Sequence, residues 1–255
     1  MLTVLVANAV AVTVLMAVTA FIAHRIGRVV IVDLVWGLGF VLIALVSALI
    51  GDTSLRWLLL AMVAAWGGRL AWHVGRRVVA TDEEDPRYAK LLDGKPFCYA
   101  VTRVFLTQGV AMWFVSLPVQ VAAASDQGRW SWLIGLGLLV WVVGLAFESI
   151  GDQQLAAYKA NPDRGPVMDR GLWRYTRHPN YFGDSCVWWG IFIVALGGSR
   201  LVLTTSLSPV VMTYFLVFAT GAKLLEQTMM KRAGYPEYAE RTSMFFPLPP
   251  KKRTA

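Results

Sequence analysis

An all-α polytopic membrane bundle of about seven helices is the fold class this sequence predicts, and three observations carry it. Hydrophobic residues make up 56% of the 255 residues, with 11 Trp and a mean hydropathy of +0.54, far from the balance of a soluble domain. Apolar stretches long enough to cross roughly 30 Å of hydrocarbon recur along the chain. Cations gather in alternate connections between those stretches, as the positive-inside rule requires.

The first stretch, 3–23, has no small-residue cleavage site and runs at once into a second, so it reads as a retained helix and not as a signal peptide. The others fall at 30–50, 55–75, 101–123, 130–150, 180–198 and 202–226. With the amino terminus outside, Arg25, Arg28, Arg76 to Arg103, Lys159 to Arg177 and Lys231 to Arg253 all lie on the cytoplasmic side. Only Arg56, Arg129 and Arg200 fall outside, and Arg69 and Lys223 lie within proposed spans. The carboxyl terminus is then cytoplasmic, and the expected location is a bacterial inner membrane, with the lipid bilayer as partner. The net charge of +8 is read as topology, which removes the reason to expect nucleic acid. Cys98 and Cys186 fall on or near the reducing side and are expected as packed thiols without a disulfide. All 255 residues are expected to form one domain.

Two inner connections, 76–100 and 151–179, are long and rich in ionisable groups, so the working face is expected there. The run Thr81-Asp-Glu-Glu-Asp-Pro-Arg-Tyr88 reads first as a solvated charge run; a functional reading needs Arg87 or Tyr88 to fold over a ligand. In the second connection, Glu148, Asp152, Gln153 and Lys159 have spacings that put several of them on one helical face. Asn161-Pro-Asp-Arg-Gly-Pro166 then breaks that helix. His24, His73 and His178 are not at metal-ligand spacing, so no metal site is expected. Neither a glycine-rich dinucleotide fingerprint nor a phosphate loop is present, and no nucleophile has a neighbouring base.

What remains is Gly171-Leu-Trp-Arg-Tyr-Thr-Arg-His-Pro-Asn-Tyr-Phe-Gly-Asp184, where a polar connection enters an apolar stretch. Such a density of donors at a bilayer boundary suits an anionic cofactor: Arg174 and Arg177 for phosphate, Trp173, Tyr175 and Tyr181 for stacking. Pro179 favours an extended His178 and the start of a helix, aiming Asn180 and the first amides at a ligand. Arg and Trp are also what any bilayer boundary carries, so the His-Pro-Asn-Tyr core is the more telling part.

Arg177-His-Pro-Asn-Tyr-Phe-Gly-Asp184 resembles the signature of the steroid 5-alpha reductase and sterol C14 reductase superfamily. Glu226, Gly234-Tyr-Pro-Glu-Tyr238, Arg241 and Phe245-Phe-Pro247 are similar to that superfamily's closing segment, and Asp152 with Lys159 to its preceding helix. The amino-terminal half, with Asp33-Leu-Val-Trp36 and Glu84-Asp-Pro-Arg-Tyr88, looks more like a bacterial branch of the superfamily than the named reductases.

The resemblance implies substrate-side helices over 1–150 and a cofactor-binding half over 151–250 that holds NADPH at the cytoplasmic side. It implies that Lys159, Arg170, Arg174 and Arg177 face phosphates, with His178 and Tyr181 in the same core and Tyr175 stacking beside it. Asn180 and Asp184 would hold ribose or nicotinamide amide groups, Tyr235, Tyr238 and Arg241 would close the adenosine end, and Asp152 and Glu226 would orient the cations. Asp184 stands where steroid 5-alpha reductases have glutamate and matches the sterol C14 reductase pattern. The implied reaction reduces a conjugated double bond of an apolar lipid. The adjacent Gln-Glu pair of the steroid enzymes is absent from this chain, so the polarising and protonating groups are sought among Asp33, Arg69, Tyr99 and Gln108. For Asp33 and Arg69 the rival reading is an internal ion pair.

Isoprenylcysteine carboxyl methyltransferases are similar in the same carboxyl-terminal half, including a His-Pro-x-Tyr core, and would imply S-adenosylmethionine instead. Several cations favour the phosphate-rich dinucleotide over a sulfonium. A third reading is a non-catalytic lipid-binding scaffold.

Overall fold

The computed structural model describes residues 1–219 and 221–251, and every described element is helical; the basic tail's Lys252 and Arg253 lie outside the described residues. Seven described helices are long and apolar enough to cross a membrane: Leu2–Ile26, Ile31–Ile50, Leu55–Val79, Phe97–Val115, Ser131–Ala160, Pro179–Gly198 and Arg200–Met229. The chain forms two compact units, Met1–Ile134 with Val194–Ser208, and Gly135–Ile193 with Pro209–Ala255.

In the first unit, α1 (Leu2–Ile26) shows why these helices need a bilayer. Val4, Asn8, Val12, Met16 and Ala20 form its buried stripe, while Val6, Val10, Val14 and Val18 on the opposite face are more than half exposed. A soluble helix would carry polar residues there; one that is apolar all round belongs in hydrocarbon. The single amide of the buried stripe, Asn8, donates to Val4 O at 3.0 Å and to Ser47 Oγ of α2 (Ile31–Ile50) at 2.8 Å. Helix α2 packs closely on α3 (Leu55–Val79) because Gly37 and Gly67 face each other. A Cβ on either would sit 2.5 or 2.6 Å from the other's carbonyl oxygen.

A short helix, α4 (Pro86–Leu92), precedes α5 (Phe97–Ala100), a π-helical turn over Val101–Leu106, and α6 (Thr107–Val115). The expected span 101–123 is therefore corrected: the helix starts earlier and breaks at Ser116, and α7 (Leu117–Ala123) begins with Pro118 in its first turn. Proline has no amide to continue the ladder and crowds the preceding turn. The freed carbonyls are answered by side chains: Phe114 O, which Pro118 cannot serve, accepts from Ser208 Oγ at 2.9 Å, and Trp113 O accepts from the fully buried Gln120 at 2.9 Å.

In the second unit, α8 (Ser131–Ala160) runs ten residues past the expected 150 and ends before Asn161, where the Asn-Pro pair was expected to break it. Its partner is α9 (Pro179–Gly198). Gly144 lies against Gly183 and Val187, Gly151 against Pro179 and Asn180, and Gly190 against Trp141. Small residues at heptad spacing let two backbones approach where lipid gives no hydrophobic drive to associate. The last expected span, 202–226, is not one uniform helix. It contains a 3-10 segment Arg200–Thr205, α10 (Leu207–Tyr214), a π-helical turn Phe215–Ala219 and α11 (Ala222–Met229), and α12 (Tyr235–Arg241) follows.

Candidate functional site

The Gly171–Asp184 run lies wholly in the second unit. Its first residues form a 3-10 turn, Gly171–Arg174, docked on the end of α8: Gln154 Oε1 accepts from Leu172 N at 2.9 Å, and Trp173 Nε1 donates to Gly151 O at 3.0 Å. Gly171 has a φ of 59°, a left-handed conformation that favours glycine, and a Cβ there would also press on the end of the Gln154 side chain. Thr176 and Arg177 then run beside the chain's closing segment. Arg177 N donates to Ser243 O at 2.9 Å, Thr176 Oγ1 to Phe245 O at 2.9 Å, and Leu248 N to Tyr175 O at 3.0 Å. Phe182 meets Phe147, Phe245 and Phe246 in edge-on contacts, fixing α9 to the same segment.

Continuous with this turn is a partly buried charge network. Arg177 makes a bidentate pair with Glu226, at 2.6 and 2.9 Å, and gives its remaining terminal nitrogen to Ala239 O and Thr242 O, both at 2.6 Å. His178 Nε2 lies 3.2 Å from Glu226 Oε1, and Tyr235 OH donates to that oxygen at 3.4 Å. The His178 ring stacks on Tyr181 with centroids 5.5 Å apart. Burial works against the Arg177 charge, but the Glu226 carboxylate outweighs it and holds the guanidinium above its ordinary value. Burial also pushes the Tyr235 phenol up, and the Glu226 charge adds to it; burial does the same to Tyr238, whose hydroxyl donates to Trp173 O. Arg177, expected against phosphate, is thus engaged by a carboxylate and two carbonyls of its own unit.

Above the network the cations are exposed. A cleft of about 1110 Å³ is lined by Tyr158, Arg164, Arg170, Tyr238 and Arg241 among others, with Asp163, Asp169, Glu237 and Glu240 also on its wall. A smaller hollow of about 610 Å³ adjoins it and is edged by Arg170, Arg174, Arg241 and Lys251. Arg241 pairs with Asp169 at 2.5 Å, each more than a third exposed. Of the expected cofactor residues, Arg170, Tyr238 and Arg241 line the cleft and Arg174 the hollow. Tyr175 is 42% exposed beside them. Lys159 is exposed at the end of α8, and its carbonyl accepts from Arg164 at 3.0 Å. Asp152 and Asp184 are buried, as is Glu148 one turn before Asp152. Asn180 Oδ1 is buried and has no hydrogen-bond partner among the described residues. Arg164 also lines the cleft, although in one dimension its Asn-Pro-Asp-Arg-Gly-Pro stretch signals only a helix break.

A second polar constellation forms in the first unit. Asp33 accepts from Tyr88 OH at 2.5 Å and pairs with Arg87 at 2.7 Å, and Gln108 donates to the same Tyr88 oxygen at 3.3 Å. Asp85 caps α4, accepting from Arg87 N at 2.9 Å, and binds the Arg87 guanidinium at 2.9 and 3.0 Å. Glu84 accepts from Val29 N at 2.5 Å and Val30 N at 3.0 Å, a carboxylate placed at the positive end of α2. The reading of 81–88 as a solvated charge run holds for the exposed Thr81, Asp82 and Glu83 and is corrected for the rest, where Glu84, Arg87 and Tyr88 bond to α2 and to the residues that open it, and Asp85 holds Arg87. Burial and the nearby Asp33 charge push the Tyr88 phenol up. Burial raises the Asp85 carboxyl, but its bonds from Arg87 outweigh that and leave it below its ordinary value. Two expected catalytic residues, Asp33 and Gln108, are thus joined through Tyr88. Arg69 is half-buried within α3, and Tyr99 is half-buried in α5 with its carbonyl accepting from Thr102 at 3.1 Å.

Fold and sites together define a polytopic helical membrane protein that carries a closed polar network in one unit and a cation-edged cleft in the other. By sequence, the chain belongs to the DUF1295 family, described as a protein of unknown function, which it matches over residues 20–242. No curated protein and no solved structure matches it.

Proposed function

We propose that the protein is an NADPH-dependent reductase acting on a conjugated carbon-carbon double bond of an apolar lipid, with its cofactor site on the cytoplasmic side of a bacterial inner membrane. The observation that carries this reading is the separation of charge in the second unit. Arg177 and Glu226 answer each other below, while Arg164, Arg170 and Arg241 edge a cleft above. At about 1110 Å³ the cleft lies just above the roughly 300–1,000 Å³ usual for small-molecule sites, a size that suits a dinucleotide. Guanidinium groups bind phosphate through paired, charge-assisted bonds. Asn180 Oδ1, buried with no hydrogen-bond partner among the described residues, suits a carboxamide donor such as that of a nicotinamide. The likeness of Arg177–Asp184 and of Gly234–Arg241 to the steroid 5-alpha reductase and sterol C14 reductase superfamily points the same way.

When bound, the dinucleotide would supply hydride to the electron-poor carbon of the double bond. The protein's own tasks are to hold it, to polarise the acceptor and to deliver a proton to the neighbouring carbon. In this reading Arg170 and Arg241, which line the cleft, hold phosphate, Lys159 adds charge at the edge, and the Arg177–Glu226 pair keeps the neighbouring turn rigid. The proton-handling groups come from Asp33, Arg69, Tyr99 and Gln108, with Tyr88 bonded to two of them. The alternative is S-adenosylmethionine-dependent methyl transfer to a lipid, and one observation favours it: Asp163, Asp169, Glu237 and Glu240 share the cleft wall and would suit a cationic sulfonium.

Calorimetric titration of the detergent-solubilised protein with NADPH, NADH and S-adenosylmethionine decides between them, with ligand-induced thermal stabilisation as a cross-check. Binding of NADPH alone is the expected result. Binding of S-adenosylmethionine alone would transfer the same cleft to a methyltransferase, and binding of none would leave a lipid-binding scaffold.

A further inference from the structure

The smaller hollow of the second unit has features a nucleotide subsite does not need. Arg170, Arg174, Arg241 and Lys251 edge it, while its one acid, Asp169, is already paired with Arg241. Arg174 belongs to this hollow and not to the larger cleft. The strand-like contact that closes the site, Leu248 N to Tyr175 O and Arg177 N to Ser243 O, holds the closing segment beside the turn. Next to Arg174 in the chain, Tyr175 is 42% exposed, and the closing segment bonded to it carries Phe246 at 65% and Leu248 at 55% on its way to Pro250 and Lys251 at the hollow's edge. Arg174 lies five residues before Pro179, where α9, long and apolar enough to cross a membrane, begins. The hollow therefore has excess positive charge, with exposed apolar side chains on the adjoining segments and a candidate membrane span starting close by in the chain.

We infer that this hollow seats the headgroup of an anionic phospholipid of the same bilayer. Arg174 and Lys251 take the phosphate, and Tyr175, Phe246 and Leu248 lie along the upper acyl chains. A free phosphate or a nucleotide phosphate would use the cations but would gain nothing from the apolar rim; a lipid uses both. Basic residues at a membrane surface attract anionic headgroups strongly enough to make such a seat selective. The inference goes beyond the reductase reading and does not depend on it.

The full chain in detergent is unfolded thermally, followed by Trp fluorescence, with added phosphatidylglycerol, phosphatidylcholine or inorganic phosphate, each with and without saturating NADPH. Phosphatidylglycerol is expected to stabilise more than phosphatidylcholine or inorganic phosphate. That preference should weaken by roughly five-fold in apparent affinity for each cation lost in Arg174→Gln and Lys251→Gln, and persist in Arg174→Lys. It should also survive saturation with NADPH. A preference that is unchanged in the double Gln variant overturns the inference. So does one erased by NADPH, which assigns the hollow to the nucleotide, or one matched by inorganic phosphate. Should the Gln variants fail to fold, Phe246→Ser with Leu248→Ser provides the same test through the apolar rim, and an undiminished preference there is equally fatal. Failure of NADPH to bind at all sinks the reductase reading and leaves the lipid seat to stand or fall on the phosphatidylglycerol comparison.

Discussion

The two units hold their charges in opposite ways. In the first, Asp33 and Asp85 share Arg87, Tyr88 and Gln108 complete the same network, and Glu84 answers the amides that open α2. In the second, Arg177 and Glu226 are just as closely matched, at 2.6 Å, but Arg164, Arg170 and Arg174 stand exposed around open hollows. A charge answered within its own unit holds helices together; a charge left facing a hollow is available to something else. This difference, more than the count of cations, separates scaffold from site.

The largest expected effect comes from breaking the buried pair. Glu226→Ala leaves the Arg177 guanidinium without its carboxylate and bonded only to the carbonyls of Ala239 and Thr242, and removing one partner of a mostly buried pair typically costs about 3–5 kcal/mol. Thermal unfolding in detergent should show a large drop in midpoint and loss of any cofactor binding. If the drop is as small as that of an exposed pair, the second unit has no closed core of charge. Next in size is the glycine seam. Gly183→Leu forces side-chain atoms onto the α8 backbone, where even a Cβ would lie 2.6 Å from Gly144 O, and overpacking of this kind costs about 1–3 kcal/mol or more. The same assay should register it.

The hollows give a third, sharper contrast. Arg170→Ala or Arg241→Ala should weaken NADPH binding by about ten-fold or more, as expected when a hydrogen bond to a charged group worth roughly 1.5–3 kcal/mol is removed, while the unfolding midpoint moves little. Calorimetry alongside thermal unfolding separates the two readouts. In the first unit, Tyr88→Phe removes the hydroxyl between Asp33 and Gln108 and should cost about 1 kcal/mol of stability. Turnover falling far beyond that loss would show that the closed network also takes part in chemistry.

The smallest effect is a pH dependence. Because the folded state depresses the Asp85 carboxyl, its stabilisation is fully present above the unfolded value of about 4. It fades as pH falls through the lower folded value, where protonation leaves Arg87 with Asp33 as its one carboxylate partner among the described residues. Wild type should lose midpoint on acidification more steeply than Asp85→Asn, and parallel curves would remove Asp85 from the network.

Part of the cleft's lining was legible in the sequence: Arg174 stood out as a cation beside an apolar span, while Arg170, Tyr238 and Arg241 came from the resemblance to the reductase superfamily, and these four line the cleft and hollow. Arg177 shows where such reading stops, because an arginine facing a phosphate and one facing a carboxylate look alike in one dimension. Its partner Glu226 is 49 residues away. Glu84 and the amides of Val29 and Val30 are separated by 54 and 55 residues, so an acidic run read locally looked solvated. The break at Ser116 was hidden because the residues on both sides are apolar, and composition cannot see that Pro118 interrupts a ladder whose freed carbonyls find partners inside.

The sequence by itself determined that this chain is a membrane protein of seven apolar helices. Bilayer thickness imposes length and apolarity on each span separately, and that requirement is met locally. Only the tertiary structure decided which charges cancel and which remain open, how α8 and α9 come together through their glycines, and which arginines edge a hollow. Those outcomes depend on residues far apart in the chain arriving within a hydrogen bond of one another, and no local pattern encodes that distance.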